Sequence, residues 1–314
     1  VNAPFAAPDT PLVGLDLGGT KIEGLVIRAD RPGEALARLR LPTESARGYE
    51  HILGRIGAVV DELRQAFRGD FPGVIGIGTP GTLDPDTQLL RGSNTQCLNG
   101  RPLRADLEKR LGLRVEIEND ANCLLMAEAT LGAARGYETV FGIIIGTGCG
   151  GAYLANGRVL RGRHGLTAEW GQIVIEPGGE TSPYGTKGTV EAYIAGPALE
   201  KFYEKNAGAH RSLREIAARV GEDEIARQTL ERLQDYFARG LSAIINTFDP
   251  HAIVIGGGVG NLDVLYSDAM RRRLDAVIFA PSFQAALLKP ILGDSAGVFG
   301  AALLTAPGLL SPSN

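Results

Sequence analysis

Apolar positions along the chain fall in short runs that alternate between a period of two and a helical period. Leu12 to Leu17 is an apolar run that ends at Gly18-Gly19-Thr20, and Ile22 to Ile27 resumes it, which predicts a strand, a glycine turn and a second strand. Ile52, Ile56, Val59, Val60, Leu63 and Phe67 recur at helical spacing and predict a helix over 49–67. Val74 to Ile77 reads as a strand closed by Thr79-Pro80-Gly81. Leu103, Leu107 and Leu111 mark one face of a short helix before Gly112. Val115 to Glu118 reads as a strand running into Asn119-Asp120-Ala121-Asn122, with helix formers from Cys123 to Ala134 behind it. Asn119 or Asp120 is then expected where a strand hands over to a helix N-terminus.

The second half repeats the theme. Val140 to Ile145 is a β-branched strand ending in Gly146-Thr147-Gly148-Cys149-Gly150-Gly151, and Asn156-Gly157 predicts a hairpin over 152–161. Residues 165–188 read as loop with a short strand at Ile173 to Ile175. Helices are expected from Val190 to about Lys205, from Asp223 to about Phe248 and over 297–304. His251 to Ile255 is a strand ending in Gly256-Gly257-Gly258. Residues 13–20 align without gaps on 141–148, strand into glycine turn in both. This echo suggests a duplicated β-turn-β unit, with a small lobe of residues 10–120 plus 297–314 and a large lobe of 121–296 around a cleft.

Composition narrows the class. Hydrophobic residues make up 44% of 314, enough for a buried core, and the 43 glycines are roughly twice ordinary usage without a collagen period. A net charge of −4 offers no basic field for a nucleic-acid backbone. Arg271-Arg272-Arg273 reads as a solvated helix face. Cys97, Cys123 and Cys149 are an odd, widely spaced set, which points to a reducing compartment and not to a disulfide framework. Residues 1–11 read as a leader without signal-peptide character, and the apolar runs are too short to span a bilayer. The expectation is a soluble cytoplasmic protein.

Gly146-x-Gly148-x-x-Gly151 formally matches a dinucleotide fingerprint, but the segment after it reads as a strand, not the helix that fingerprint requires. No G-x-x-x-x-G-K-[ST] occurs. The glycine turns at Gly18-Gly19-Thr20-Lys21, 146–151 and 256–258 can each present backbone N–H groups to phosphates, with Thr20 and Thr147 adding hydroxyl donors.

In order, Asp16-Leu17-Gly18-Gly19-Thr20-Lys21, Gly78-Thr79-Pro80-Gly81, Ser93-Asn94, Glu118-Asn119-Asp120-Ala121-Asn122, Gly146 to Gly151, Glu169-Trp170-Gly171 and Gly256-Gly257-Gly258 resemble the ROK family of bacterial sugar kinases and repressors. The resemblance implies an α/β actin-like ATPase (ribonuclease H-like) fold, usually homodimeric, that phosphorylates a hexose at the 6-hydroxyl with ATP and Mg²⁺. Asp120 matches the family's catalytic base, a carboxylate that orients a sugar hydroxyl and takes its proton. Gly81, Asn94, Asn119, Glu169, Gln172 and Glu191 match sugar-binding positions. Asp16 matches the acid that holds Mg²⁺ through water. Gly18, Gly19, Thr20, Lys21, Gly146, Thr147, Gly148, Gly256, Gly257 and Gly258 match the nucleotide side. Asn94 with Leu98-Asn99-Gly100, and the stretch 145–150, resemble the fructokinase and mannokinase branch. Fructose or mannose is therefore the first expectation, with glucose, N-acetylglucosamine and N-acetylmannosamine as alternatives.

Many members hold a structural zinc through one His and three Cys. The matching positions here are Gln172, Ser182, Tyr184 and Thr189, none of them a thiolate or imidazole, so no zinc is expected. His164 alone reads as a loop residue. Trp170, Tyr184 and Tyr193 are then the candidates to pack the 178–188 loop. Repressor members carry an N-terminal helix-turn-helix, for which the strand beginning at Leu12 leaves no room. A non-catalytic sugar-sensing module is the remaining alternative.

Overall fold

The computed structural model describes residues 9–306. The leader reading over residues 1–8 and the end of the small lobe at 307–314 lie outside the described residues. In chain order the elements are β1 (Pro11–Leu17), β2 (Lys21–Arg28), β3 (Arg31–Pro42), α1 (Tyr49–Ala66), β4 (Val74–Thr79), β5 (Thr82–Leu83), β6 (Leu90–Arg91), α2 (Leu103–Leu111), β7 (Arg114–Asn119) and α3 (Asp120–Thr130). They continue as β8 (Thr139–Ile145), β9 (Cys149–Ala155), β10 (Arg158–Val159), α4 (Glu191–Ile194), α5 (Gly196–Ala207), α6 (Leu213–Ala218) and α7 (Glu224–Phe248). The last are β11 (Ala252–Gly256), α8 (Gly257–Gly260), α9 (Asp268–Asp275), β12 (Ala286–Leu288) and α10 (Ala296–Leu303).

Two compact units result. One comprises the described residues 9–136, 154–167 and 291–306; the other comprises 137–153 and 168–290. Their sheets repeat one pattern, β3-β2-β1-β4-β7 and β10-β9-β8-β11-β12. In the first, β1 pairs antiparallel with β2 and parallel with β4, and β4 pairs parallel with β7. In the second, β8 and β11 are parallel, as are β11 and β12. The echo between 13–20 and 141–148 is thus the central strand of each sheet running into its turn.

Strand alternation sorts the first unit into layers. Val13, Leu15, Leu17, Ile22, Val26, Ile75, Ile77, Val115 and Ile117 point to one face, where they bury the predicted stripe of α1, Ile52, Ile56, Val59, Val60 and Leu63. Leu12, Leu25 and Ile27 point to the other, against α3 and α10. Phe67, read as the last helical position, is instead the extended cap of α1. Helix α10 lies very close to the sheet: a Cβ on Gly76 would sit 1.8 Å from the Ala301 carbonyl oxygen, and one on Gly300 1.8 Å from that of Cys123.

Several elements differ from the sequence reading, which also left strands β5, β6 and β12 and helix α6 unassigned. The strand expected at Ile173 to Ile175 is a single bridge between Val174 and Thr189. The helix expected over 190–205 is broken at Ala195, which is extended; Pro197 lies in the first turn of α5, where its missing N–H costs nothing. Strand β3 was not anticipated. The Asn156-Gly157 hairpin forms as expected, both residues having positive φ. Cys97, Cys123 and Cys149 are free thiols. Among the described residues, no helix is long and apolar enough to cross a membrane.

Candidate active site

In the first unit the candidate site grows from the ends of three neighbouring strands. Register places Asp16 of β1 beside Gly78 of β4 and opposite Glu23 of β2, with Thr79 paired to Asn119 at the end of β7. By alternation Asp16 and Glu23 lie on the face covered by α10. A Cβ on Gly297 of that helix would come within 3.1 Å of the Asp16 carboxyl. Burial is the main cause that pushes the Asp16 carboxyl up to about 6; the Asp120 and Glu23 charges add to it, and Lys21 and Arg40 oppose it. Glu23 is fully buried and takes Arg38 at 2.6 Å and Arg40 at 2.9 Å.

Asp120 opens α3. Its Oδ1 accepts the Ala121 N–H at 2.8 Å, and desolvation raises its carboxyl above the ordinary range against the lowering effect of such bonds. Asn119 caps the same helix, accepting the Ala121 N–H at 2.9 Å while its Nδ2 donates to the Gly81 carbonyl at 3.1 Å. Gly81 has φ +85° and a Cβ there would lie 2.4 Å from the Arg91 carbonyl oxygen, so no other residue fits this turn. Glu118, buried beneath, binds Asn122 at 2.9 Å and Arg161 at 2.6 Å. Sequence reading missed Arg161; nothing local in its hairpin marks a partner 43 residues away.

Asn94 is exposed on a loop fixed by its neighbours. Ser93 donates its N–H to Asn99 Oδ1 at 2.9 Å, and Asn99 Nδ2 returns a bond to the Ser93 carbonyl at 2.9 Å. The turn at 18–21 is closed by Gly18 N–H to the Lys21 carbonyl at 2.9 Å, and the Thr43 hydroxyl donates to the Gly18 carbonyl at 2.6 Å. Gly19 and Thr20 are exposed. The Gly18 N–H is therefore spent inside the turn, leaving its neighbours to face solvent.

In the second unit four segments meet. Gly146 N–H bonds the Gly148 carbonyl at 2.9 Å, and Gly196 N–H bonds the Gly146 carbonyl at 2.8 Å. Glu191, 4% exposed on α4, accepts the Cys149 N–H at 2.8 Å, and Gly148 leaves it the room, since a Cβ there would lie 2.9 Å from its carboxylate. Residues 168–172 lie on the start of β9: a Cβ on Gly171 would be 2.3 Å from the Cys149 carbonyl oxygen, and Trp170 Nε1 donates to the Gly150 carbonyl at 2.9 Å. Glu169 is exposed at the mouth of that segment, and Gln172 follows in the same short turn, its N–H on the Glu169 carbonyl at 3.1 Å. Gly257, at φ +84°, packs on Ile145 at the end of β8, which brings 256–258 beside the 146 turn.

Gly146 and Gly258 differ from these. A Cβ at either would meet no protein atom within 4 Å, and neither has a positive φ. Packing does not require glycine there, and the bare backbone suits close approach by a ligand. Within the first unit the donor chemistry also fits Mg²⁺ and a nucleotide phosphate: a desolvated carboxylate at Asp16, a lysine at 21 and the Gly18-Gly19 turn between them.

The positions matching the zinc ligands are occupied by Gln172, Ser182, Tyr184 and Thr189. Thr189 is buried, Ser182 closes a turn by accepting the Tyr184 N–H at 3.3 Å, and Gln172 is half-buried. Among the described residues no group of three or more His, Cys, Asp or Glu side chains is placed to hold a metal ion. Tyr184 does not pack the loop as expected. It sits at the tip of a turn made by Ser182, Gly185 and Thr186, and is 72% exposed. His164 is exposed, its carbonyl held by Arg91.

Known proteins align with this geometry over almost its whole length. The N-acetyl-D-glucosamine kinase of Vibrio vulnificus strain YJ016 is 33% identical over 306 residues, covering 94% of this chain and 99% of its own. The ROK hexokinase of Thermus thermophilus superposes with a TM-score of 0.84 at 33% identity, over 94% of this chain and 97% of its own. A ROK family glucokinase from Streptomyces griseus, solved with glucose and AMPPNP, gives 0.75 at 29% identity over 94% and 99%. The two repeated sheets are those of the actin-like ATPase fold. With the ROK family model matching residues 12–307 and the ordered motifs in place, the chain belongs to the ROK family.

Proposed function

We propose that the protein phosphorylates N-acetyl-D-glucosamine at its 6-hydroxyl, using Mg·ATP. The class is that of an ATP-dependent sugar phosphotransferase. The observation that carries the catalytic reading is Asp120, a desolvated carboxylate at a helix start beside Asp16. The sugar is supported by the Vibrio vulnificus relative, an N-acetyl-D-glucosamine kinase. This displaces the first expectation of fructose or mannose. That expectation rested on Asn94 with Leu98-Asn99-Gly100 and on the stretch 145–150; of these, Asn99 spends its amide on Ser93 and Gln96, so it shapes the loop that presents Asn94.

In this reading Asp120 accepts the proton of the attacking hydroxyl. Its raised carboxyl is a better base near neutrality than an ordinary aspartate, and it loses function when protonated, so kcat/KM falls on the acid side. Bound Mg·ATP supplies the phosphoryl group and neutralises its growing charge. Asp16 would hold the metal through water, and Gly18 to Lys21, Gly146 to Gly148 and Gly256 to Gly258 the nucleotide. Asn94, Asn119, Glu169, Gln172 and Glu191 serve the sugar, with the Gly81 turn fixing Asn119. Carboxylates and amides accepting and donating to hydroxyls reject sugars that lack them. The site works without zinc, in a homodimer located in the cytoplasm, where ATP is held.

The test is phosphate transfer from Mg·ATP across N-acetylglucosamine, N-acetylmannosamine, glucose, mannose and fructose, alongside Asp120→Asn. N-acetylglucosamine is expected to give the highest kcat/KM, and Asp120→Asn to lower kcat by about 10²–10⁴-fold. A higher kcat/KM on fructose or mannose overturns the sugar assignment. Silence on every sugar by protein that binds ATP leaves the sensing module.

A further inference from the structure

The geometry points to Arg232 as the positioning residue that fixes the 176–188 loop, and through its stem Gln172 and Glu191, where other members use a metal. This rests on the kinase reading for its link to sugar binding.

The loop is stapled at its base by Val190 N–H to the Ile173 carbonyl at 2.9 Å and Ile175 N–H to the Gly188 carbonyl at 2.8 Å. Gln172 and Glu191 stand directly outside that stem. Farther out, backbone bonds within the loop only fold it on itself. What ties it to the body comes from α7 and from Tyr193 of α4. Arg232 lies in a sleeve of three rings, 4.8 Å from the centroid of Tyr193, 4.7 Å from Phe202 and 4.9 Å from Tyr236. Its side chain is 13% exposed and reaches Glu180 at 2.5 Å. Tyr193 and Tyr236 stack at 3.9 Å, and the Tyr193 hydroxyl accepts the Glu180 N–H at 2.9 Å. Two turns along α7 from Arg232, Arg239 covers the Tyr236 ring at 4.9 Å and pairs with Glu176 at 2.9 Å. Both acidic partners belong to the loop and both cations to one helix.

A cation held against ring faces and answered by one carboxylate has few ways to rearrange. Tyr193, under Arg232, is two residues from Glu191 on α4. Releasing Glu180 therefore loosens the loop and weakens one restraint on the sugar ligands at its stem, while Gly146 and Gly258 stay as they are.

The test uses the full chain and compares Arg232→Met, Glu180→Gln and the conservative Arg232→Lys. Lys187 is exposed on the loop and reports its opening to trypsin. Cleavage after Lys187 is expected to accelerate at least about tenfold in Arg232→Met and Glu180→Gln without a matching fall in Tm. KM for N-acetylglucosamine is expected to rise about tenfold to a hundredfold while KM for Mg·ATP stays put. Arg232→Lys, which keeps a cation within reach of the rings and of Glu180, should recover part of both losses. Unchanged cleavage in Glu180→Gln, a partly exposed side chain whose loss does not threaten folding, overturns the clamp. Faster cleavage with an unchanged sugar KM overturns its link to the site. If the wild type phosphorylates no sugar, the proposed function fails instead, and the cleavage rates still decide whether Arg232 holds the loop.

Discussion

Asp16 sits on the face of β1 that α10 covers, and its charge is only partly answered by Lys21 and Arg40. The folded state binds its proton more tightly than the unfolded chain does, with a carboxyl near 6 against an ordinary 3.8. Ionised Asp16 therefore destabilises the fold by up to about 3 kcal/mol, a penalty absent below about pH 4 and complete above about pH 6. Asp16→Asn is expected to match the wild type in Tm near pH 4, to exceed it increasingly up to about pH 6 and by a constant margin above that, while losing phosphoryl transfer; parallel Tm curves would remove Asp16 as the source. Two glycines make a second residue-scale prediction. Gly257→Ala forces a Cβ to 2.3 Å from the Ile145 carbonyl oxygen at φ +84°, and should cost about 2 kcal/mol or more. Gly258→Ala meets nothing and should leave stability within about 0.5 kcal/mol of wild type, raising KM for Mg·ATP instead. Equal Tm losses would mean that Gly258 is there for packing.

Helix α10 shows what an element needs beyond its own pattern. Its apolar sequence predicted a terminal helix, but the small residues along it matter because the sheet and α3 approach so closely. Gly300→Ala should destabilise by about 1–3 kcal/mol through the clash with the Cys123 carbonyl, read as a lower urea midpoint at unchanged slope. The strands with buried faces and α1 were legible because one periodicity decides one buried side. Strand β3 was not, although Ala37, Leu39 and Leu41 alternate with Arg38 and Arg40: those arginines look like solvated charge until Glu23, far back in sequence, is seen beneath them. The break at Ala195 follows from Gly196 and Pro197, a local signal overridden by the helix formers around it. Asp16 and Asp120, proposed here as metal holder and base, could be picked from motif and order, whereas Arg232 could not. Arg232, Tyr236 and Arg239 share a helical face, but only the fold brings Glu180 and Glu176 to it.

At the scale of the molecule, the chain leaves and re-enters its first unit, so neither unit is a continuous stretch: 154–167 and 291–306 return to it after the second unit has begun. The α10 residues Ala296, Val298, Phe299, Ala301, Ala302 and Leu303 form one side of that unit's core with Leu12, Leu25 and Ile27. Ending the chain after Pro290 would expose that apolar face while removing nothing from the second unit. The single tryptophan makes this measurable, because Trp170 is 1% exposed against Phe237, both in the second unit. The truncated chain is expected to lose helical and strand signal in far-ultraviolet circular dichroism and to bind a hydrophobic dye, while Trp170 keeps its blue-shifted emission. A red shift of Trp170 in step with the dichroism would mean that the two cores melt as one block, and that the return of α10 secures the whole chain instead of one unit.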